Sequence, residues 1–385
     1  MCAVEVGISY PPPHPAPRRH WYYNPNDIVN DFGRITSFQP PKARHPSSIM
    51  SLSNTGGAGR GGQSASIIGD VINQGKKQFW GVPNMHYHQG MSAGENTLNA
   101  VVARLLVRTL TSDASLPRAL AAGGGSAYSP APFLSAYVKF MTTPSSHNDT
   151  YAESWHRMFF ANHVAGKAPA ACADDDGHNI DSAGGLVLLP PPSLLAAAAA
   201  AKKGLVAASA AAAQAAVLQQ LATHNSQRLV PFTKVYASAL ASVLLAPVSE
   251  GAAMSLARAA KDAGKSLRVD LAKLAASDAP DTRVIGGGGI FTSACYIEGS
   301  LPALFFLAAK YADRPAEAVI ANTNVGGENC HRGSALGALV GAAHGMDAWK
   351  GTGWVEALAA GPAIAQEADA FAKSVRAAYT AGGVE

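Results

Sequence analysis

The chain has 385 residues, 48% hydrophobic and 15% charged, with a formal net charge of +4. That composition describes a globular chain with a sizeable core and excludes disorder along its whole length. Lysine and arginine are scattered, with no basic stripe interleaved with aromatics, so no nucleic-acid footprint is present. The four cysteines (Cys2, Cys172, Cys295, Cys330) form no CxxC pair. Their spacing argues against structural zinc, and their number is too small for a disulfide scaffold. A reducing, cytoplasmic compartment is expected, with organelle targeting left open.

The first 19 residues contain Pro11-Pro12-Pro13 and Pro15 and are expected to be an extended or disordered lead-in. Residues 20–385 are expected to form one domain. Residues 53–62 are Gly/Ser-rich and read as a loop, and Ile67–Ile72 as a short apolar segment. Leu98, Val101, Val102, Leu105 and Leu106 fall on one face of a helix. Phe133–Met141 and Tyr151–His163 read as helices with aromatic faces, and 174–179 as a polar loop. Pro190-Pro191-Pro192 reads as a stop. The alanine-dominated stretch 194–221 is expected to be a helix or insertion with a poorly specified packing face, and it is only weakly hydrophobic, so no membrane span is expected. Helices are expected over Gln227–Leu245, Gly251–Ala276 and Tyr296–Tyr311, with a glycine turn at 286–289, and the tail Trp349–Tyr379 reads as amphipathic helix. Alternating strands are almost absent, so the expected class is all-α.

Two segments stand out. Gly94-Glu95-Asn96 and Gly327-Glu328-Asn329 each precede a long apolar helical run. A carboxylate is favoured at a helix start by the exposed N–H groups and the helix dipole. Two such starts converging in a bundle would define one polar pocket. The second helix carries glycine at 333, 337, 341 and 345, a smooth face expected to pack closely and to draw residues 328–331 into the core.

The segment from Ala318 to His331, with its glycine-spaced helix, resembles the C-terminal signature of the ADP-ribosylglycohydrolase and J1-crystallin superfamily. Other stretches agree in order: Thr223-His224 followed by Tyr236–Leu240, then Tyr296–Leu307, and His20-Trp21-Tyr22-Tyr23 with Phe32-Gly33-Arg34-Ile35. The resemblance runs over roughly residues 20–360 and implies a compact orthogonal multi-helix bundle. It implies a hydrolase acting on a glycosidic or related bond in a small, ADP-ribose-like substrate, and a magnesium centre whose ligands map onto Glu95, Asn96 and Glu328. Here Asn96 and Cys330 replace aspartates of the family pattern, and His331 replaces a hydroxyl residue. Magnesium prefers hard oxygen ligands in octahedral geometry, so this set is incomplete.

The substitutions open a second chemistry on the same fold. Cys330 lies just past a helix start, where a thiolate is stabilised. Adjacent helical side chains point about 100° apart, so His331 is a poor base for Cys330. His86 or His88 is the better partner, with Glu95 or Glu328 as orienter. The candidate catalytic residues are therefore Glu95, Glu328, Cys330 and His88. His86, His178, Asn179 and His331 are candidate substrate contacts, His178 and Asn179 lying where the family's central Gly-Asn-Gly loop falls. A non-catalytic, crystallin-like binding or structural role stays open beside these two readings.

Overall fold

A computed structural model describes residues 24–41, 67–79, 82, 86 and 88–383. The proline-rich lead-in, the His20–Tyr23 segment and the Gly/Ser-rich loop lie outside the described residues. Helix α1 (Pro25–Phe32) is capped by the Asn24 side chain, which accepts from Asn26 N. Ile67–Ile72 forms a single π-turn. Helix α2 (Leu98–Ser112) buries Leu98, Val102, Leu106 and Leu110, a four-residue spacing that lays one apolar stripe on the core. Helices α3 (Leu116–Gly123), α4 (Ala131–Thr142) and α5 (Ser154–Val164) follow. The first half of α5 is enclosed on all sides, burying Trp155 through Phe160 in succession. Tyr137 of α4 stacks on Trp155 with ring centres 5.5 Å apart.

The Pro190-Pro191-Pro192 run, expected as a stop, opens helix α6 (Pro190–Ala200) instead. The first N–H groups of a helix have no intrahelical partner, so proline forfeits no hydrogen bond there. The alanine-rich stretch is helical as expected, but it is divided between two helices. Helix α6 is buried along nearly its whole length, and α7 (Leu205–Thr223) packs against it after a turn at Ala201–Lys203. Alanine methyls allow the two axes to approach closely, which a pattern search for large apolar residues does not register. By length and composition the helical stretch Ala183–Lys203, which contains α6, and α7 could each cross a membrane; 89% of the first window and 39% of the second are buried within the fold.

Helix α8 (Val230–Leu244) packs on α6 and α7, and α9 (Ala252–Leu267) on α8. The expected helix over 251–276 breaks at Arg268, which adopts a left-handed conformation, and restarts as α10 (Leu271–Ala275) under an Asp270 cap. After the short α11 (Asp281–Val284), helix α12 (Ile297–Lys310) runs through the centre and is buried on every face from Gly299 to Ala308. Around it lie α9, α10, α13 (Pro315–Asn324) and α14 (Asn329–His344). The tail is broken rather than continuous, into α15 (Trp354–Ala357) and α16 (Gly361–Ala381). Among the described residues there is no β-strand, only isolated bridges such as Ser182 to Tyr296. One hydrophobic cluster spans α2 to α16.

The glycine stripe of α14 is not one continuous seam. A Cβ on Gly333 would meet Asn322 Nδ2 at 2.7 Å, and Gly345 ends the helix at φ 63°, whereas Gly337 faces open space. The expected consequence nevertheless holds: Glu328, Asn329, Cys330 and His331 are all buried.

Candidate active site

Four helix starts meet at one end of the bundle. Loop 181–184 is tied to the start of α12 by Ala183 N to Cys295 O (2.8 Å) and Ile297 N to Asp181 O (3.2 Å). The start of α14 is tied to the same strand of chain by Glu328 N to Ser293 O (2.7 Å). The start of α2 is held from the loop before α5, where Asp149 Oδ2 accepts from Leu98 N at 2.7 Å. Backbone N–H groups at helix starts have no internal acceptors, and at α2 and α14 a carboxylate accepts from them.

The centre of the site is His331. Glu328 occupies the N-cap position of α14, and its Oε1 accepts from His331 N at 3.0 Å. The same oxygen lies 2.8 Å from His331 Nδ1. On the far side of the ring, Nε2 is ion-paired with Glu153 Oε1, from the residue preceding α5. An imidazole is thus clamped between two carboxylates. Burial works against its charged form, but Glu153 and Glu328 outweigh burial and hold His331 well above an ordinary histidine. In return Glu153 titrates at about 2: burial pushes it up, and His331 with its hydrogen bond pulls it further down.

A neutral relay continues from the clamp. Asn99 Nδ2 donates to Glu153 Oε1 at 2.9 Å and lies 2.6 Å from His331 Nε2, so the amide and the protonated ring meet as two donors on the same carboxylate oxygen. Asn99 Oδ1 lies 2.8 Å from His156 Nε2, and His156 Nδ1 lies 2.5 Å from the Tyr137 hydroxyl. Burial holds His156 well below the histidine range and His224 down to about 4, so both rings are neutral. Glu153 is the member that reaches outward, with 16% of its side chain exposed. A Cβ on Gly184 would lie 3.1 Å from Glu153 Oε2 and 3.7 Å from His224 Nε2, so the central loop packs directly over this carboxylate.

The structure separates the other predicted residues into distinct groups. His88 Nδ1 pairs with Asp149 Oδ1 at 2.7 Å, and His86 Nδ1 accepts from His88 N at 3.1 Å. Burial lowers His86 to about 3, helped by the neighbouring His88. Glu95 turns to Ser92 N and to Asn148 Nδ2 (3.2 Å). His178 sets its ring 5.8 Å from Tyr296, at the edge of the same loop junction. Asn179 is exposed and donates to Asp176 Oδ2 within its own loop. Cys330 is buried on the first turn of α14. Glu153, Asp149 and Asn99 were not among the predicted residues. Asp149 and Glu153 lie four apart just before a helix opening on Ser154-Trp155, which marks a helix start, but nothing local ties Glu153 to His331.

A family model described as ADP-ribosylglycohydrolase matches residues 62–381. The chain belongs to the ADP-ribosylglycohydrolase family. Membership supports a hydrolase-like function and accounts for the all-α class. A solved structure described as an "ADP-ribosylglycohydrolase-related protein complex" is similar over 86% of this chain and 95% of its own, at 18% identity and a TM-score of 0.43. No curated protein matches.

The magnesium centre implied for an ADP-ribosylglycohydrolase does not fit the donors present. Asn96 Oδ1 accepts from the Arg104 guanidinium at 3.1 Å, and a cation is repelled there. Glu95 caps a turn, and Glu328 closes on His331. At the position of a family aspartate stands a thiol, a soft ligand. Among the described residues no group of three or more His, Cys, Asp or Glu is arranged to hold a metal ion.

Proposed function

We propose that this family member cleaves a glycosidic or related bond in a small ribose-containing substrate of the ADP-ribose type, with Glu153 as the carboxylate that faces the reacting centre. The observation that supports this is the clamp: a carboxylate held ionised by a buried imidazole, with its second oxygen directed toward the central loop and His224. Glycosidic cleavage develops positive charge on the sugar ring, and a fixed carboxylate stabilises it. Glu328 positions His331, His331 positions Glu153, and Asn99 fixes the oxygen that His331 shares. His178 and Asn179, on the loop that joins the site through Tyr296, are the substrate contacts in this reading, with the adenine or ribose as their partner.

The test is release of free ADP-ribose from a panel of O- and N-linked ADP-ribosyl conjugates by the full chain, followed by chromatography. Turnover of at least one conjugate is expected, unchanged in Cys330→Ser. Loss of turnover in that variant would transfer the chemistry to the thiol. Failure to cleave or bind any conjugate would leave the non-catalytic reading in its place.

A further inference from the structure

We propose that His331 is a resident cation that takes the place of a divalent metal in this site, so that the site is electrostatically complete without an ion. This goes beyond the hydrolase reading and holds whichever bond the site breaks.

The inference rests on charge and geometry. Glu153 and Glu328 bring two negative charges to one ring, at Nε2 and Nδ1 respectively. Two carboxylates facing one buried point repel each other unless one takes up a proton or a cation lies between them, and here the ring nitrogens lie between them. Only when protonated does the imidazole ring present two N–H groups, which diverge in its plane, so a single charged residue serves both carboxylates. Its backbone is fixed as well, since His331 N donates to the Glu328 oxygen that also meets Nδ1. The next residue, Arg332, is fully buried and attracts Glu328, while its Nε donates to Asn322 Oδ1 at 2.6 Å and its Nη2 to Gly326 O at 3.1 Å. Glu153 and Glu328 against His331 and Arg332 sum to zero. The remaining groups packed on the clamp are the neutral His156 and His224, the amide of Asn99 and the thiol of Cys295, which burial pushes up to about 12. A divalent ion entering this cluster would add two uncompensated positive charges among side chains that are mostly buried. Magnesium also needs several oxygen ligands at once, and both carboxylates are already engaged by nitrogen donors.

Two measurements test this without any assay of activity. In the first, chelator-treated full-chain protein is titrated with Mn2+ and free ion is followed by electron paramagnetic resonance, alongside melting curves in EDTA and in millimolar Mg2+. We expect no stoichiometric Mn2+ binding that depends on Glu328, and melting midpoints that coincide. Stoichiometric Mn2+ binding that is abolished in Glu328→Gln overturns the proposal, whereas binding that survives Glu328→Gln lies elsewhere and leaves it standing. The second measurement removes the cation. His331→Ala exposes the carboxylates to each other, and we expect a clear fall in midpoint that Mn2+ or free imidazole restores. A midpoint equal to that of the unaltered chain, with no response to either cation, overturns it. If His331→Ala does not fold, His331→Gln keeps much of the volume without the charge, and the same two outcomes decide.

Discussion

The two Gly-Glu-Asn segments share a tripeptide and end in different places. Glu328 is the N-cap of α14, buried, and bonded to the imidazole three residues on. Glu95 stands three residues before α2, half-buried, and bonds to Ser92 N and Asn148. The anion at the start of α2 is instead Asp149, 51 residues downstream of Leu98, and it too pairs with a histidine, His88. The comparison teaches that a helix start selects a carboxylate by geometry, not by its neighbours in sequence. Gly94 shows why the first copy is diverted. Its φ is 83°, its carbonyl accepts from Ala359 N, and a Cβ there would meet Ala357 O at 2.1 Å. The backbone of the first copy is thus used to anchor the C-terminal region.

The largest expected effect separates the two copies. Glu328→Ala removes the cap of α14 and leaves His331 with one of its two carboxylates, and should cost ~3–5 kcal/mol. Chemical denaturation of the two single variants checks it, and a loss no larger than that of Glu95→Ala would erase the distinction.

Acid should weaken the fold through the neutral histidines of both regions. His156, His224 and His86 have folded values below the ordinary 6.5, with His224 at about 4 and His86 at about 3. The unfolded chain therefore takes up protons that the fold refuses as pH falls below 6.5. Stability is present above that value and is lost on the way down, at about 1.4 kcal/mol per pH unit for each histidine while it remains neutral in the fold. His331 has the opposite sign: its raised value contributes stability that is complete below 6.5 and fades as pH rises through the folded value. Melting curves across pH should show a shallower acid limb in His224→Gln, and an unchanged limb in that variant would contradict the assignment.

Asp149→Asn keeps an acceptor for Leu98 N but removes the charge facing His88, and should cost about 2 kcal/mol. The smallest effect is expected from Glu95→Gln, within ~0.5 kcal/mol in the same denaturation assay, because its contacts are on the partly exposed side.

The late motif was legible in the sequence, because the residues that bury it and the residues that use it lie on one helix. Glu328 and His331 are three apart, the first at the N-cap of α14 and the second in its first turn. The class was legible from the absence of alternation. The partner carboxylate Glu153 was not, since its link to His331 spans 178 residues and no local pattern records which loop will cover a helix start. Helices α6 and α7 are legible as helix, but their division and their burial are not, for a different reason. Their packing depends on the smallness of alanine and on prolines in a first turn, and neither feature produces a periodic apolar face. The tail is divided by the turns at 350–353 and 358–360, where Gly351 and Gly353 adopt positive φ.

The central claim is that the chemistry lies at the second Gly-Glu-Asn start, through Glu153, and not at the first. Single-turnover cleavage of an ADP-ribosyl conjugate by Glu153→Gln and Glu95→Gln, with both variants shown to be folded, tests it most directly. The account predicts a loss of about 100-fold or more in the first and an unchanged rate in the second. Full activity in Glu153→Gln together with loss in Glu95→Gln would contradict it.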